Sequence, residues 1–197
     1  MEKKLLAGEY YLQGVREMAS GFLLKLTGDF EFFFTYGALD RYGKGKWELR
    51  NDPGLNEDLV VFKSAAWPEH DFALVESKTT SGDFLSARIT DRNQNLLRYV
   101  YGSLQKGDKD SWVPANKEGE ISFPKQEIET ISLLFEFSPE RFSVFDIKDS
   151  AHNDFTFRFE PWIMEVFLDG FELRVDQHDL TGRHPIMEGE KFRYAKQ

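Results

Sequence analysis

Residues 30–50 read FEFFFTYGALDRYGKGKWELR, and their periodicity decides the fold class. Phe30, Phe32, Phe34 and Tyr36 recur at every second position, and Trp47 and Leu49 alternate with Lys44, Lys46, Glu48 and Arg50. A period of two sets successive side chains on opposite faces of a strand. The stretch predicts two antiparallel strands with a dense aromatic inner face and, on the second strand, a charged outer face. The fold class is all-β.

Parity arguments extend this pair in both directions. For Phe22 and Leu24 to share a face with Phe30, Phe32 and Phe34, the intervening loop must hold an odd number of residues. Leu26-Thr27-Gly28 fits, with Gly28 in the left-handed position of a bulged turn, and it sets Lys25 opposite Asp29. The next loop must be even, because Trp47 and Leu49 occupy odd positions. A four-residue loop, Leu39–Tyr42, pairs Phe34 with Trp47 and Phe32 with Leu49. It also lays Tyr36 over Gly45, an aromatic covering bare backbone across the sheet.

Tyr10–Val15, Phe22–Leu26, Phe30–Tyr36, Lys44–Arg50 and Leu59–Lys63 thus form a meander bounded by Gly, Asp, Asn and Pro. It ends near Lys63 with open edges, and a small sheet with one aromatic face needs closing or covering. Phe155–Phe159, Glu165–Leu168, Phe171–Val175 and Lys191–Tyr194 resume the alternation and are the natural complement. We expect residues 1–66 and 153–197 to form one barrel-like unit, with 69–150 a second β unit inserted between its strands. Two sequential domains are the alternative. Within 69–150 the candidate strands are Phe72–Glu76, Leu85–Thr90, Leu97–Tyr101, Ile121–Phe123, Ile131–Phe137 and Phe142–Ile147. Asn51–Asp58, Lys106–Asp110 and Pro114–Gly119 are polar loops, and Pro124–Glu129 has one turn of helical character.

Bulk composition narrows the function. The formal net charge of −9 opposes polyanions, so nucleic acid is not an expected partner. The absence of cysteine removes disulfides, thiolate nucleophiles and sulfur-ligated metals. No run approaches the ~18 apolar residues of a membrane span. The N-terminal lysines lack a following apolar segment, so a cytoplasmic protein is expected, or an exported one if a signal peptide has been trimmed away.

The motifs that carry chemistry are weak or broken. Asp91-x-Asn93-x-Asn95 copies half a calcium loop, but Leu96 replaces the required Gly and Gly102 the bidentate Glu, so a turn is expected. Gly43-Lys44-Gly45-Lys46 lacks the spacing of a phosphate loop. Asp176-x-His178 with His184 is the best metal candidate, yet nothing in the spacing demands a metal, and His70 and His152 stand apart. No catalytic residue, metal site or cofactor is expected.

Two resemblances follow from these segments. Gly8–Lys63, with its meander and Gly45-Lys46-Trp47, resembles the lipocalin-like (calycin) barrels. In those barrels a Gly-x-Trp on the first strand plugs the base, whereas here it falls on the fourth candidate strand. Leu85–Ile147 is similar to transthyretin-like (carboxypeptidase regulatory-like) sandwich modules. That likeness rests on Asp91-Arg92-Asn93, Leu97–Tyr101 and Asn116-Lys117-Glu118-Gly119 leading into Glu120–Phe123. The second likeness implies a non-catalytic accessory role. Together they suggest a non-enzymatic binding protein with a small apolar ligand inside the barrel, contacted by Phe22, Leu24, Phe30, Phe32, Phe34, Tyr36 and Trp47. The alternative is an acidic interaction module, of inhibitor or immunity type, with a filled core and a protein partner.

Overall fold

A computed structural model describes residues 2–54, 57–104 and 111–197. The expected loop at Lys106–Asp110 lies outside the described residues. A short helix, α1 (Lys3–Leu6), precedes five strands: β1 (Gly8–Leu12), β2 (Met18–Leu24), β3 (Asp29–Tyr36), β4 (Leu39–Asp52) and β5 (Glu57–Lys63). Eight follow: β6 (Phe72–Lys78), β7 (Phe84–Thr90), β8 (Val100–Ser103), β9 (Val113–Pro114), β10 (Glu120–Pro124), β11 (Thr130–Phe135), β12 (Phe142–Asp146) and β13 (Asp154–Phe159). The chain ends with β14 (Asp169–Asp176), β15 (Asp179–Gly182) and β16 (Phe192–Lys196). It divides into two compact units, one of Met1–Trp67 with Met164–Gln197 and the other of Pro68–Ile163.

The first unit is a closed eight-stranded barrel in the order β1-β16-β15-β14-β5-β4-β3-β2. All its neighbouring strands are antiparallel. Closure removes the sheet edges that the N-terminal meander would otherwise expose. Most inward positions are apolar, although Ser20 on β2 and Arg41 on β4 are buried there too. On β3, Phe30, Phe32 and Phe34 are buried, while Glu31 is exposed. At one end of the barrel Leu6 of α1 is buried and its carbonyl accepts a hydrogen bond from the Tyr10 hydroxyl at 2.7 Å. Trp47 lies there too, its indole N–H donating to the Lys25 carbonyl at 2.9 Å.

The β2–β3 turn has the register read from the sequence. Leu24 faces Phe30, the Lys25 N–H donates to the Asp29 carbonyl at 2.9 Å, and Gly28 has φ 86°. The β3–β4 connection differs. Its parity is even, but the turn is the two-residue Gly37-Ala38, so Tyr36 faces Leu39. Gly37, at φ 59°, supports a turn tighter than the expected four-residue loop. Phe34 therefore faces Arg41 instead of Trp47, and Phe30, not Tyr36, faces Gly45. Phe34 and Trp47 still share the interior, because an even shift preserves the face.

The second unit contains two four-stranded sheets, β10-β7-β13-β6 and β12-β11-β8-β9. Their inner faces meet through aromatic rings: Phe135 and Phe159 stand 5.1 Å apart by centroid, and Phe145 and Phe157 4.9 Å. The strand at Phe155–Phe159 belongs here, contrary to its expected place in the barrel. It pairs antiparallel with β6 and parallel with β7. A run of alternating phenylalanines specifies a buried face, but not the sheet that buries it. Residues 153–163 thus leave the barrel unit, and Leu97 falls in a 3-10 helix, Gln94–Tyr99, before β8. Glu165–Leu168 is not a regular strand. It makes one bridge, Tyr42 to Glu165, and sends Val166 and Leu168 into the barrel core.

Candidate functional site

The barrel interior brings together six of the seven expected ligand contacts. Phe22, Leu24, Phe30, Phe32, Phe34 and Trp47 are all buried within one apolar cluster. Tyr36 is not among them. It flanks the tight turn and is 50% exposed. Phe22 occupies the middle, its ring 4.6 Å from Phe62, 5.0 Å from Phe32 and 5.2 Å from Tyr194. These partners come from β5, β3 and β16, so the rings meet across the barrel. Centroid separations in this range are those of packed aromatic pairs.

The other end of the barrel is held by His184. The backbone N–H groups of Ile186 and Met187 both donate to its Nδ1 at 3.0 Å. Nδ1 is therefore an acceptor, and Nε2 carries the hydrogen that reaches Ser20 Oγ at 3.0 Å. Ser20 in turn donates to the Phe33 carbonyl at 2.9 Å. Burial lowers the His184 pKa from its ordinary 6.5 to about 4, so the ring is neutral at pH 7. Both nitrogens are engaged within the protein, so His184 is a structural residue. Among the described residues no group of three His, Asp or Glu side chains is placed to hold a metal ion. Asp91 and Asn93 form turns, each accepting from the N–H two residues on.

The outer face of the same strands is different in kind. Register places Tyr11, Gly21, Phe33 and Tyr42 in one row across β1–β4, all pointing away from the core. Tyr11 is 40% and Tyr42 44% exposed. The Phe33 ring lies over Gly21, where a β-carbon would come within 2.9 Å of it, and meets Tyr11 edge-on at 5.6 Å. Glu9, Leu23, Glu31 and Lys44 make the next row, and Lys25, Asp29, Lys46 and Lys63 the one beyond. Together these rows line a trough of about 940 Å³.

Its charges are unevenly partnered. Lys25 pairs with Glu31 and Lys46 with Asp29, each at 2.5 Å. Hydrogen bonds from Lys46 and Thr27 hold the Asp29 carboxyl below its usual pKa, and the bond to Glu31 raises that of Lys25. Lys44 faces Glu31 across the strands, but Glu31 is turned to Lys25. Lys63 faces Lys46, a like-charged neighbour. A second trough, of about 650 Å³, lies over β5, β14, β15 and β16, where Arg174–Glu57 and Arg50–Glu172 pairs already neutralise one another.

The outer residues were not expected as a site. One signal was present: Phe33 sits at an odd position and interrupts the alternation of Phe30, Phe32 and Phe34. A lone surface aromatic is ordinary, but Phe33 shares its row with Tyr11 and Tyr42, and a contiguous apolar patch points to an interaction surface. Compared with protein-family models, curated proteins and solved structures, the chain matches none.

Proposed function

We propose that the protein is a non-catalytic binding protein whose barrel is a solid scaffold and whose recognition surface is the outer face of β1–β4. The observation that carries this reading is the outward row Tyr11–Gly21–Phe33–Tyr42, in which Tyr11 and Tyr42 are exposed and Phe33 is half-buried over Gly21, standing over an interior where Phe22 packs against Phe32, Phe62 and Tyr194. Tyr11 and Tyr42 keep much of their ring surface in water, and that surface gains ~25 cal/mol per Å² when a ligand covers it. The short helix and Trp47 at the barrel base support a lipocalin-like relation for this unit. Two facing sheets support a transthyretin-like relation for the insert. Both likenesses agree with a binding role rather than a catalytic one.

A second reading keeps the ligand inside. It is favoured by the Tyr194 hydroxyl, which is fully buried with no hydrogen-bond partner among the described residues. One test separates the two. Aromatic compounds are screened by thermal shift against the native protein, against a Phe33→Ser/Tyr42→Ser variant and against Tyr194→Phe. The outer-face reading expects hits whose stabilisation is lost in the double variant and kept in Tyr194→Phe. The reverse pattern moves the site into the barrel and ends the outer-face reading.

A further inference from the structure

The trough pairs an apolar floor with cations that the protein does not itself neutralise. Phe33, Tyr42 and Leu23 supply the floor, and Lys44 and Lys63 stand along one side with no ion pair among the described residues. Lys46 and Lys63 face one another; Asp29 is bound to Lys46, and Asp169, opposite Lys63 on β14, makes no ion pair with it among the described residues. Like charges directly opposite repel, and an anion placed between them relieves that repulsion. At the β1 side the charge is reversed: Glu9 accepts a hydrogen bond from the Tyr11 hydroxyl at 3.2 Å. The field across the trough therefore runs from negative at β1 to positive at β4 and β5.

We propose that this trough binds a small organic anion with a flat apolar body and a single acidic head group, the body on Phe33 and Tyr42 and the head at Lys44 and Lys63. The proposal rests on reading the outer face as the binding surface, and it adds the class of ligand. Spacing sets the size. Lys44 lies two residues beyond Tyr42 along β4, about 7 Å at ~3.4 Å per residue, and Lys46, which faces Lys63, lies four residues beyond Tyr42, about 14 Å. A body of two or three fused or linked rings spans from the aromatic row to the nearer cation. The trough volume of about 940 Å³ falls within the range of small-molecule sites. Glu9 disfavours the opposite orientation, with the acid at β1.

Two fluorophores with the same rings test this: 1-anilinonaphthalene-8-sulfonate, and N-phenyl-1-naphthylamine, which lacks the sulfonate. Each is titrated into the full-length protein, with near-UV circular dichroism confirming the fold of every variant. We expect the sulfonate to saturate one site and to bind at least about tenfold more tightly than the neutral compound. Lys44→Gln/Lys63→Gln should weaken the sulfonate by about that factor and leave the neutral compound unchanged, and added salt should weaken only the sulfonate. Tyr42→Ser, and separately Phe33→Ser, should weaken both. Equal binding of the two compounds, lost in the aromatic variants but indifferent to the lysines, overturns the acidic head group and leaves the outer-face reading standing. Sulfonate binding that survives Tyr42→Ser and Phe33→Ser in folded protein overturns both.

Discussion

The two faces of β3 differ by one residue in sequence and by everything in environment. Phe32 is buried, its ring 5.0 Å from Phe22, in the apolar cluster of the barrel interior. Phe33 points the other way, among exposed tyrosines and lysines. Burial accounts for the inner rings completely, since each contributes roughly 1.5–3 kcal/mol by leaving water. It does not account for Tyr11 and Tyr42, which remain substantially exposed. The contrast teaches that aromatic richness in this chain has two causes, and that only the outer one asks for a partner.

The contrast breaks most visibly through Phe22. Phe22→Ala should cost about 3–5 kcal/mol in chemical denaturation, the range for large-to-small changes at aromatic core sites. A loss below about 1 kcal/mol would mean that the barrel centre is loosely filled and open to a ligand.

The next largest effect is pH dependence. His184 is neutral in the folded barrel, with its pKa lowered from 6.5 to about 4. Between those values the unfolded chain binds the extra proton, so stability rises with pH there and falls on acidification. The contribution is fully present above about pH 6.5 and about 3 kcal/mol is lost on approaching pH 4. Denaturation midpoints at pH 7 and pH 4.5 measure the slope, and His184→Gln should flatten it.

Gly45→Ala tests the corrected register. A β-carbon there would lie 2.2 Å from the Lys63 carbonyl oxygen and 2.8 Å from the Phe30 ring, so a loss of about 1–3 kcal/mol is expected. An unchanged midpoint would show that β4 and β5 do not approach at that point. The smallest effect belongs to the outer face. Lys44→Gln and Tyr42→Ser should each change stability by no more than about 0.5 kcal/mol, as surface changes do. A larger loss from either would make the outer row a structural feature and remove the contrast.

Much of the barrel was legible because burial writes itself as period two. Phe30, Phe32, Phe34 and Trp47 shared a face in the sequence, and they share the interior. The turn Leu26-Thr27-Gly28 was readable because parity and a glycine agreed on one length. At Gly37 parity left two lengths open, and the tighter turn prevailed, carrying Arg41 inside and Tyr42 out. The partner of Phe155–Phe159 was illegible for a different reason: strand pairing is decided by contacts distant in sequence, and alternation is silent about them. The outer trough is assembled from five strands, so no local motif announces it. Phe33, the ring out of phase, was its one trace.

The central claim is that ligands meet the outside of the barrel and not its lumen. The most direct test is fluorine NMR of the protein labelled with 3-fluorotyrosine, each of its seven tyrosines assigned by substitution with Phe, during titration with 1-anilinonaphthalene-8-sulfonate. Tyr11 and Tyr42 report the outer row, and the fully buried Tyr10 and Tyr194 report the interior. The account predicts that the Tyr11 and Tyr42 resonances move with saturation while those of Tyr10 and Tyr194 stay fixed. Movement of Tyr10 or Tyr194 with Tyr11 and Tyr42 unchanged would contradict it.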